Sequence, residues 1–351
     1  MDNVYVNGKF LTQKISGVQR YASELLRNYY TLNKEVKLVT PHNGLHNDVY
    51  QLPCERLEVG NKAGLKWEQW QLPRFAKQQG EPLLLNLCNV APVAYHNKIT
   101  CIHDIAFVRY PQFFSKTFHY YYKMLMPLII RSSRHIITVS DFSKQELMQY
   151  YRLSDNQVSV VPNAGFPLLP ATDATPMVRH PYFLFVGSAD PRKNLLLLLQ
   201  AYDAAQLTQT HLVVAGAGYK SFNTALLQQL EKYKAHPTIH FTGAVSNEQL
   251  AGLYQHAKAV IIPSVYEGFG LPVAEGLSAG CEVIANDIPI FREVAREHAF
   301  YFNNKETLTG LLLLLDKRDK RFNEEGLEYI LTKYSWAQSA RSLEQAIAQY
   351  R

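Results

Sequence analysis

The sequence predicts an α/β protein of two doubly wound domains facing each other across a cleft. Three observations carry this. At 351 residues the chain is too long for one ordinary core. Short apolar runs of strand length alternate with helical periodicity through both halves. Between the halves lies a segment, 167–181, that holds Pro167, Pro170, Pro176 and Pro181 without periodicity and reads as a linker. The expected layout is an N-terminal domain over 1–166, the linker, a C-terminal domain over 182–335, and a last helix over 336–351 packing back on the first domain.

Asn3–Asn7 reads as the first strand. A polar loop leads to Ser16-Gly17, after which Val18, Tyr21, Leu25 and Leu26 recur at helical spacing. Gly17 therefore sits at a strand-to-helix junction, its N–H near a helix N-terminus. The spacing is not GxGxxG, so a dinucleotide fingerprint is absent. Lys37–Thr40 is a second strand, and the polar stretch 41–64 is expected to be loop. Leu83–Leu87 and Lys98–Ile102 read as buried strands, the second ending at His103-Asp104, and Ile136–Ser140 and Val158–Val161 complete this half. The carboxyl ends of parallel strands line the ligand crevice of open α/β sheets, which makes His103 a candidate against the commoner reading of a structural histidine. A second series runs through Tyr182–Gly187, Leu212–Ala215, Thr238–Thr242, Val260–Ile262, Glu282–Ala285 and Ala299–Phe302, and Ser335–Ala340 opens the last amphipathic helix.

The net charge of +6 is unevenly shared: residues 1–165 carry 19 Lys+Arg against 12 Asp+Glu, and 166–351 carry 17 against 18. A basic half suits an anionic partner such as a membrane surface, and a solvated basic surface is the plainer reading. Within it, 107–134 interleaves Phe107, Tyr110, Phe113, Phe114, Phe118 and Tyr120–Tyr122 with Arg109, Lys116, Lys123, Arg131 and Arg134. That composition fits an element touching lipid headgroups, or an aromatic helix packed on its own domain. Met1–Val6 lacks the basic start and apolar core of a signal peptide, and no run approaches 18 apolar residues. The scattered Cys54, Cys88, Cys101 and Cys281 suit free thiols in a reducing cytoplasm rather than a disulfide framework or a zinc site.

One stretch carries the chemistry. Ala259–Ile262 reads as a buried strand stopped by Pro263; a Gly268-Phe269-Gly270 turn follows, then Leu271 and a helix holding Val273, Ala274 and Leu277. Glu267 and Glu275 bracket the turn. Glycine amides at a helix N-terminus favour an anion, and a carboxylate at Glu275 can accept two hydrogen bonds from a vicinal diol such as a ribose. The competing reading is an ordinary βα unit with two surface glutamates. Upstream, strand 182–187 ends at Gly187, followed by Arg192-Lys193. A guanidinium fork beside an ammonium suits a diphosphate, although adjacent cations taken alone are usually just solvated.

Together these stretches resemble glycosyltransferase family 4, retaining enzymes of the GT-B fold. Glu267 to Glu275 matches the family's Glu-x7-Glu signature, and Arg192-Lys193 resembles its arginine–lysine pair. Ile15–Ala22 is similar to its glycine-containing first loop, Ile102-His103-Asp104 and Pro111–Ser115 to its strand-end histidine segment, and Thr138–Ser143 and Val160–Asn163 to later segments. Trp67-Glu68-Gln69 and Asn86-Leu87-Cys88-Asn89 resemble a bacterial polysaccharide-assembly branch. Ser188 stands where many members carry arginine, and Ala164 interrupts the usual Asn-Gly; both bear on donor geometry.

The resemblance implies that Glu275 holds the ribose, that Arg192 and Lys193 bind the diphosphate with Gly17 and Gly187 beside it, and that Glu267 with Gly268, Phe269, Gly270 and Leu271 contacts the transferred sugar and the diphosphate. His103 would hydrogen-bond the sugar, and the base would lie near Val245. It implies a retaining, metal-independent hexosyltransferase with no cofactor, moving mannose or rhamnose from a nucleotide-sugar donor to a glycan acceptor. That acceptor would be undecaprenyl-diphosphate-linked, at the cytoplasmic face of the inner membrane, with no nucleic-acid partner; the domain over 1–166 would be the acceptor side and that over 182–335 the nucleotide-sugar side. No Asp-x-Asp motif supports a metal-clamped donor, and no second carboxylate pair of the glycosidase kind is present. A nucleotide-sugar epimerase or hydrolase on the same fold, and a non-catalytic partner subunit, are the alternatives.

Overall fold

The computed structural model describes residues 4–42, 52–62, 64–165, 178–188, 190–207, 209–216 and 224–350. They fall into two compact units, Met1–Asn163 with Tyr334–Arg351, and Ala164–Lys333. Most of the expected linker, 167–177, lies outside the described residues.

Among its described residues the first unit holds a seven-stranded parallel sheet. Its strands are β1 (Val4–Asn7), β2 (Lys37–Thr40), β3 (Glu55–Glu58), β4 (Leu83–Asn86), β5 (Lys98–Cys101), β6 (His135–Thr138) and β7 (Val158–Val160), in the order β3-β2-β1-β4-β5-β6-β7. β1, β4, β5 and β6 are buried at every position, as parallel strands covered on both faces are; β4 reads as a run of leucines, whereas β5 also buries Lys98 and Thr100 and β6 buries His135 and Thr138. β3 corrects the sequence reading, which expected loop over 41–64. It pairs with β2 from Lys37↔Glu55 to Thr40↔Glu58, but as an edge strand with mostly exposed, charged side chains it has no apolar signature.

The helices of this unit are α1 (Gly17–Leu32), α2 (Gly64–Lys66), α3 (Leu72–Gln78), α4 (Ala106–Arg109), α5 (Lys116–Ser132) and α6 (Asp141–Tyr151). Between α2 and α3 the backbone makes a π-helical turn, Trp67–Gln71, that buries Trp67 and Glu68. α5 divides the aromatic-basic region between both readings offered above. Phe107, Met126 and Ile130 join a core with Ile102 and Ile136, whereas Tyr120, Met124 and Leu128 stand 61%, 75% and 49% exposed. The terminal helix, Trp336–Ala348, belongs to this unit and packs along α1: Tyr29 donates to Glu344 at 2.8 Å and Ser339 to the Pro162 carbonyl at 2.7 Å.

Among its described residues the second unit holds a six-stranded parallel sheet. It comprises β8 (Tyr182–Val186), β9 (His211–Ala215), β10 (Ile239–Gly243), β11 (Ala259–Ile262), β12 (Glu282–Asn286) and β13 (Phe300–Phe302), ordered β10-β9-β8-β11-β12-β13. Its helices are α7 (Leu195–Ala205), α8 (Thr224–Lys234), α9 (Asn247–His256), α10 (Leu271–Ser278), α11 (Pro289–Ala295), α12 (Lys305–Asp316) and α13 (Glu324–Lys333). The leucine runs Leu195–Leu199 and Leu311–Leu315 lie on α7 and α12, which pack on each other over Phe183, Leu212 and Ile284. In each sheet the chain builds outward in one direction from its first strand, then reverses at its fourth. Those reversals lie between β1 and β4 and between β8 and β11, where open α/β sheets form their ligand crevices.

Candidate functional site

In the second unit, the residues singled out from sequence gather at the carboxyl ends of β8, β10 and β11. Gly187 follows β8 and bonds its N–H to the Ala215 carbonyl at 3.0 Å. Gly216 approaches so closely that a Cβ there would stand 2.0 Å from the Gly187 carbonyl oxygen, and its φ of +139° also demands glycine. The sequence reading missed Gly216, whose only signal is a glycine directly after an apolar strand.

A 3-10 turn, Pro191–Lys193, carries the two cations. Asp190 caps it, accepting from the Arg192 N–H at 2.9 Å and from the Arg192 Nη2 at 2.7 Å. Burial alone would raise the Asp190 pKa, but hydrogen bonds and charge from Arg192 outweigh it and hold this carboxyl below its ordinary value. The guanidinium is thus oriented before any ligand arrives. The Arg192 carbonyl accepts from the Val265 N–H at 2.9 Å, stitching the turn to the loop after β11. Lys193 completes the stitch by an ion pair with Glu267. Glu267, expected against the sugar, is therefore the partner of Lys193 across the crevice between β8 and β11.

The turn Gly268–Gly270 is buried and leads into α10. Gly270 has φ +91°, and a Cβ on it would meet the Phe291 ring at 2.7 Å. Leu271 is the first residue of α10 and Pro272 occupies its first turn, where a missing N–H is harmless. Glu275, one turn further in, is 5% exposed and accepts from the Tyr254 hydroxyl of α9 at 2.6 Å. Tyr254 is a second residue that sequence reasoning missed; helical spacing marks it only as a core aromatic. Val245, half-buried, lies between β10 and α9 beside Gly243, whose φ is +68°.

Gly17 and His103 belong to the first unit. Gly17 is the exposed first residue of α1, behind a capping box in which Ser16 and Gln19 cap each other. Its N–H is among those an α-helix leaves without an internal partner. His103 follows β5 and is 6% exposed. Its Nε2 lies 2.9 Å from the Leu87 carbonyl, which can only accept, so this nitrogen carries the proton. Burial lowers the His103 pKa, partly offset by the Leu87 carbonyl and Asp104, so the ring is neutral and Nδ1 is left as its acceptor. Tyr21 packs edge-on to the ring at 4.8 Å.

Two doubly wound units with an ordered cation pair and a glycine turn at a sheet reversal define a protein of the nucleotide-sugar transferase class. Residues 15–164 match the family Glycosyltransferase Family 4, and residues 176–327 match Glycosyl transferases group 1. The chain belongs to these glycosyltransferases, with one such domain in each half. It is 27% identical over 316 residues to O-antigen chain mannosyltransferase B of Escherichia coli, covering 80% of this chain and 81% of that protein. It is also 27% identical over 207 residues to the O-antigen chain mannosyltransferase RfbU of Salmonella typhimurium, spanning 59% of this chain and 57% of that relative. Among solved structures, HepE of Anabaena in complex with UDP and glucose superposes with TM-score 0.76, at 14% identity over 99% of both chains. Sucrose-phosphate synthase of Thermosynechococcus elongatus gives 0.74 at 18% identity, over 99% and 98%. The fold is GT-B.

Proposed function

We propose that the chain is a retaining, metal-independent hexosyltransferase that moves mannose from GDP-mannose to a lipid-linked glycan acceptor in O-antigen or capsule synthesis. The observation that carries this reading is the stitched crevice between β8 and β11, with Arg192 and Lys193 on one lip and Glu267 with its glycine turn on the other. The hard step is departure of the nucleoside diphosphate. Arg192 and Lys193 supply the positive charge that grows in value as the leaving group becomes an anion, so no metal is required. Glu275, held by Tyr254, takes the ribose hydroxyls. Attack from the face the diphosphate leaves retains configuration, the departing phosphate oxygen taking the acceptor's proton.

The mannosyltransferase relatives support the donor sugar. An acceptor on undecaprenyl diphosphate would bring the chain to the cytoplasmic face of the inner membrane, and the outer side of α5 supports such contact. Tyr120, Met124 and Leu128 are exposed there on a helix with Lys116, Lys123 and Arg131 and no acidic residue. Among the described residues no helix is long and apolar enough to cross a membrane, so contact would be peripheral. The test is a thermal-shift comparison of GDP, UDP and dTDP, followed by transfer from GDP-mannose by wild type and Lys193→Ala. GDP should raise the unfolding midpoint most, and Lys193→Ala should lose about a hundredfold or more in kcat. Unchanged turnover by the variant refutes the assigned charge role.

A further inference from the structure

The chain enters the second unit at Ala164 and runs at once onto the helix that carries Glu275. Gly165 is buried against one face of α10. A Cβ placed on it would stand 2.0 Å from the Ser278 Oγ, 3.1 Å from the Ser278 Cβ and 3.0 Å from the Ala274 carbonyl oxygen. Its backbone is not among those with positive φ, so glycine is needed here for space alone. Ala164 interrupts the Asn-Gly usual in the family, and Gly165, one position later, makes the close approach.

Ala274 and Ser278 lie one helical turn apart and so share a face of α10. Gly276, midway between them, faces the opposite side. A Cβ on Gly276 would stand 3.1 Å from the Val283 side chain of β12 and 3.4 Å from that of Val260 on β11. α10 is therefore wedged: the sheet leaves no room behind it, and Gly165 leaves none in front. Close-packed interiors absorb an added methyl only by shifting side chains or backbone. A Cβ at position 165 cannot push α10 straight back into the sheet, so it must slide or tilt the helix. Glu275 lies within the wedged turn, and its 2.6 Å bond from the Tyr254 hydroxyl moves with it. The Ser278 hydroxyl is buried and has no hydrogen-bond partner among the described residues, so fit rather than a bond through that hydroxyl sets the contact.

We infer that Gly165 is a positioning residue for the donor site. By seating without a side chain in the notch between Ala274 and Ser278, it fixes where α10 presents Glu275. The effect on donor binding rests on the reading of Glu275 as the ribose acceptor; the effect on the Glu275–Tyr254 bond does not.

The test compares wild type, Gly165→Ala, Ser278→Gly and the double variant Gly165→Ala/Ser278→Gly. Calorimetric titration with GDP and UDP reads nucleotide affinity. NMR of protein isotopically labelled at tyrosine Cζ reads the Tyr254 hydroxyl, whose resonance is the one missing from Tyr254→Phe. Gly165→Ala should move that resonance and weaken nucleotide binding about tenfold, the scale of a hydrogen bond to a charged group. Ser278→Gly alone should change neither. The double variant removes the side chain nearest the new Cβ and should return both readouts to wild type. Should Gly165→Ala not fold, Gly165→Ala/Ser278→Ala takes its place, since it relieves the 2.0 Å contact and keeps the one at 3.1 Å. A wild-type Tyr254 resonance in the strained variant, or a folded double variant that keeps its defect, overturns the positioning role. A resonance that moves and is restored while nucleotide affinity stays constant upholds that role and overturns the reading of Glu275 as the ribose acceptor.

Discussion

Replacing Tyr254 by phenylalanine deletes one oxygen atom and keeps the ring, so it tests what the hydroxyl and its 2.6 Å bond to Glu275 do. Both residues are buried, Tyr254 at 2% and Glu275 at 5% exposure, and the variant keeps the buried ring. A hydrogen bond to a charged group contributes about 1.5–3 kcal/mol, and its loss in a buried setting leaves the carboxylate less solvated as well as less fixed. Two consequences separate cleanly. Stability should fall by about 2 kcal/mol, which for a unit of this size is a drop of roughly 4–8 °C in its unfolding midpoint. If Glu275 takes the ribose as proposed, nucleotide affinity should fall about tenfold, because the carboxylate can then rotate away from the diol. Calorimetric titration with GDP at a temperature well below both midpoints reads the second effect without the first. A variant with a lowered midpoint but wild-type nucleotide affinity refutes the positioning role and leaves Tyr254 a core residue.

Gly270→Ala places a Cβ 2.7 Å from the fully buried Phe291 ring on a backbone with φ +91°. Strain and overpacking together should cost about 2–4 kcal/mol and pull the glycine turn out of line, so an unchanged denaturation midpoint refutes the close approach. Lys98, buried on β5, is pushed down by burial to about 7, while its ammonium contacts the carbonyls of Tyr95 and Ser132 and the Ser132 hydroxyl. The unfolded chain keeps this proton up to the ordinary lysine range, so between about pH 7 and 10 the unfolded state binds more protons. Stability should therefore rise with pH across that window, by at most about 1.4 kcal/mol per pH unit. Urea titrations should show that rise reduced in Lys98→Met relative to wild type; parallel curves refute it.

How much of this was legible in the sequence follows from how each residue is held. Buried parallel strands such as Leu83–Asn86 announce themselves because leucines occupy both faces, whereas nothing in its periodicity reveals that Lys98 on the next strand is buried too. The edge strand Glu55–Glu58 does not, since only its backbone is engaged. Arg192, Lys193, Glu267 and Glu275 were visible as residue types at a strand end. Their holders were not. Asp190 lies two residues before Arg192 and could have been read as its cap, but Tyr254 is 21 residues from Glu275 and is joined to it only by tertiary packing. His103 was visible as a strand-end histidine, while the Leu87 carbonyl that fixes its tautomer is a backbone atom with no signature.

The two sheets share a deeper regularity that only topology reveals. Each places its first strand in the interior, its second and third on one side and its fourth on the other. The loops after the first and fourth strands therefore open on the same crevice although they are far apart in the chain. Lys193 and Glu267 meet across 74 residues, and Asn7 and Asn86 across 79. In the second unit the crevice is spanned by the Lys193–Glu267 ion pair and closed by a glycine turn. In the first it is spanned by the hydrogen bond from Asn7 to Asn86, with Glu68 pairing Lys9 beside it. The same strand order thus presents two different sets of side chains, and the difference lies in which residues end or follow strands one and four.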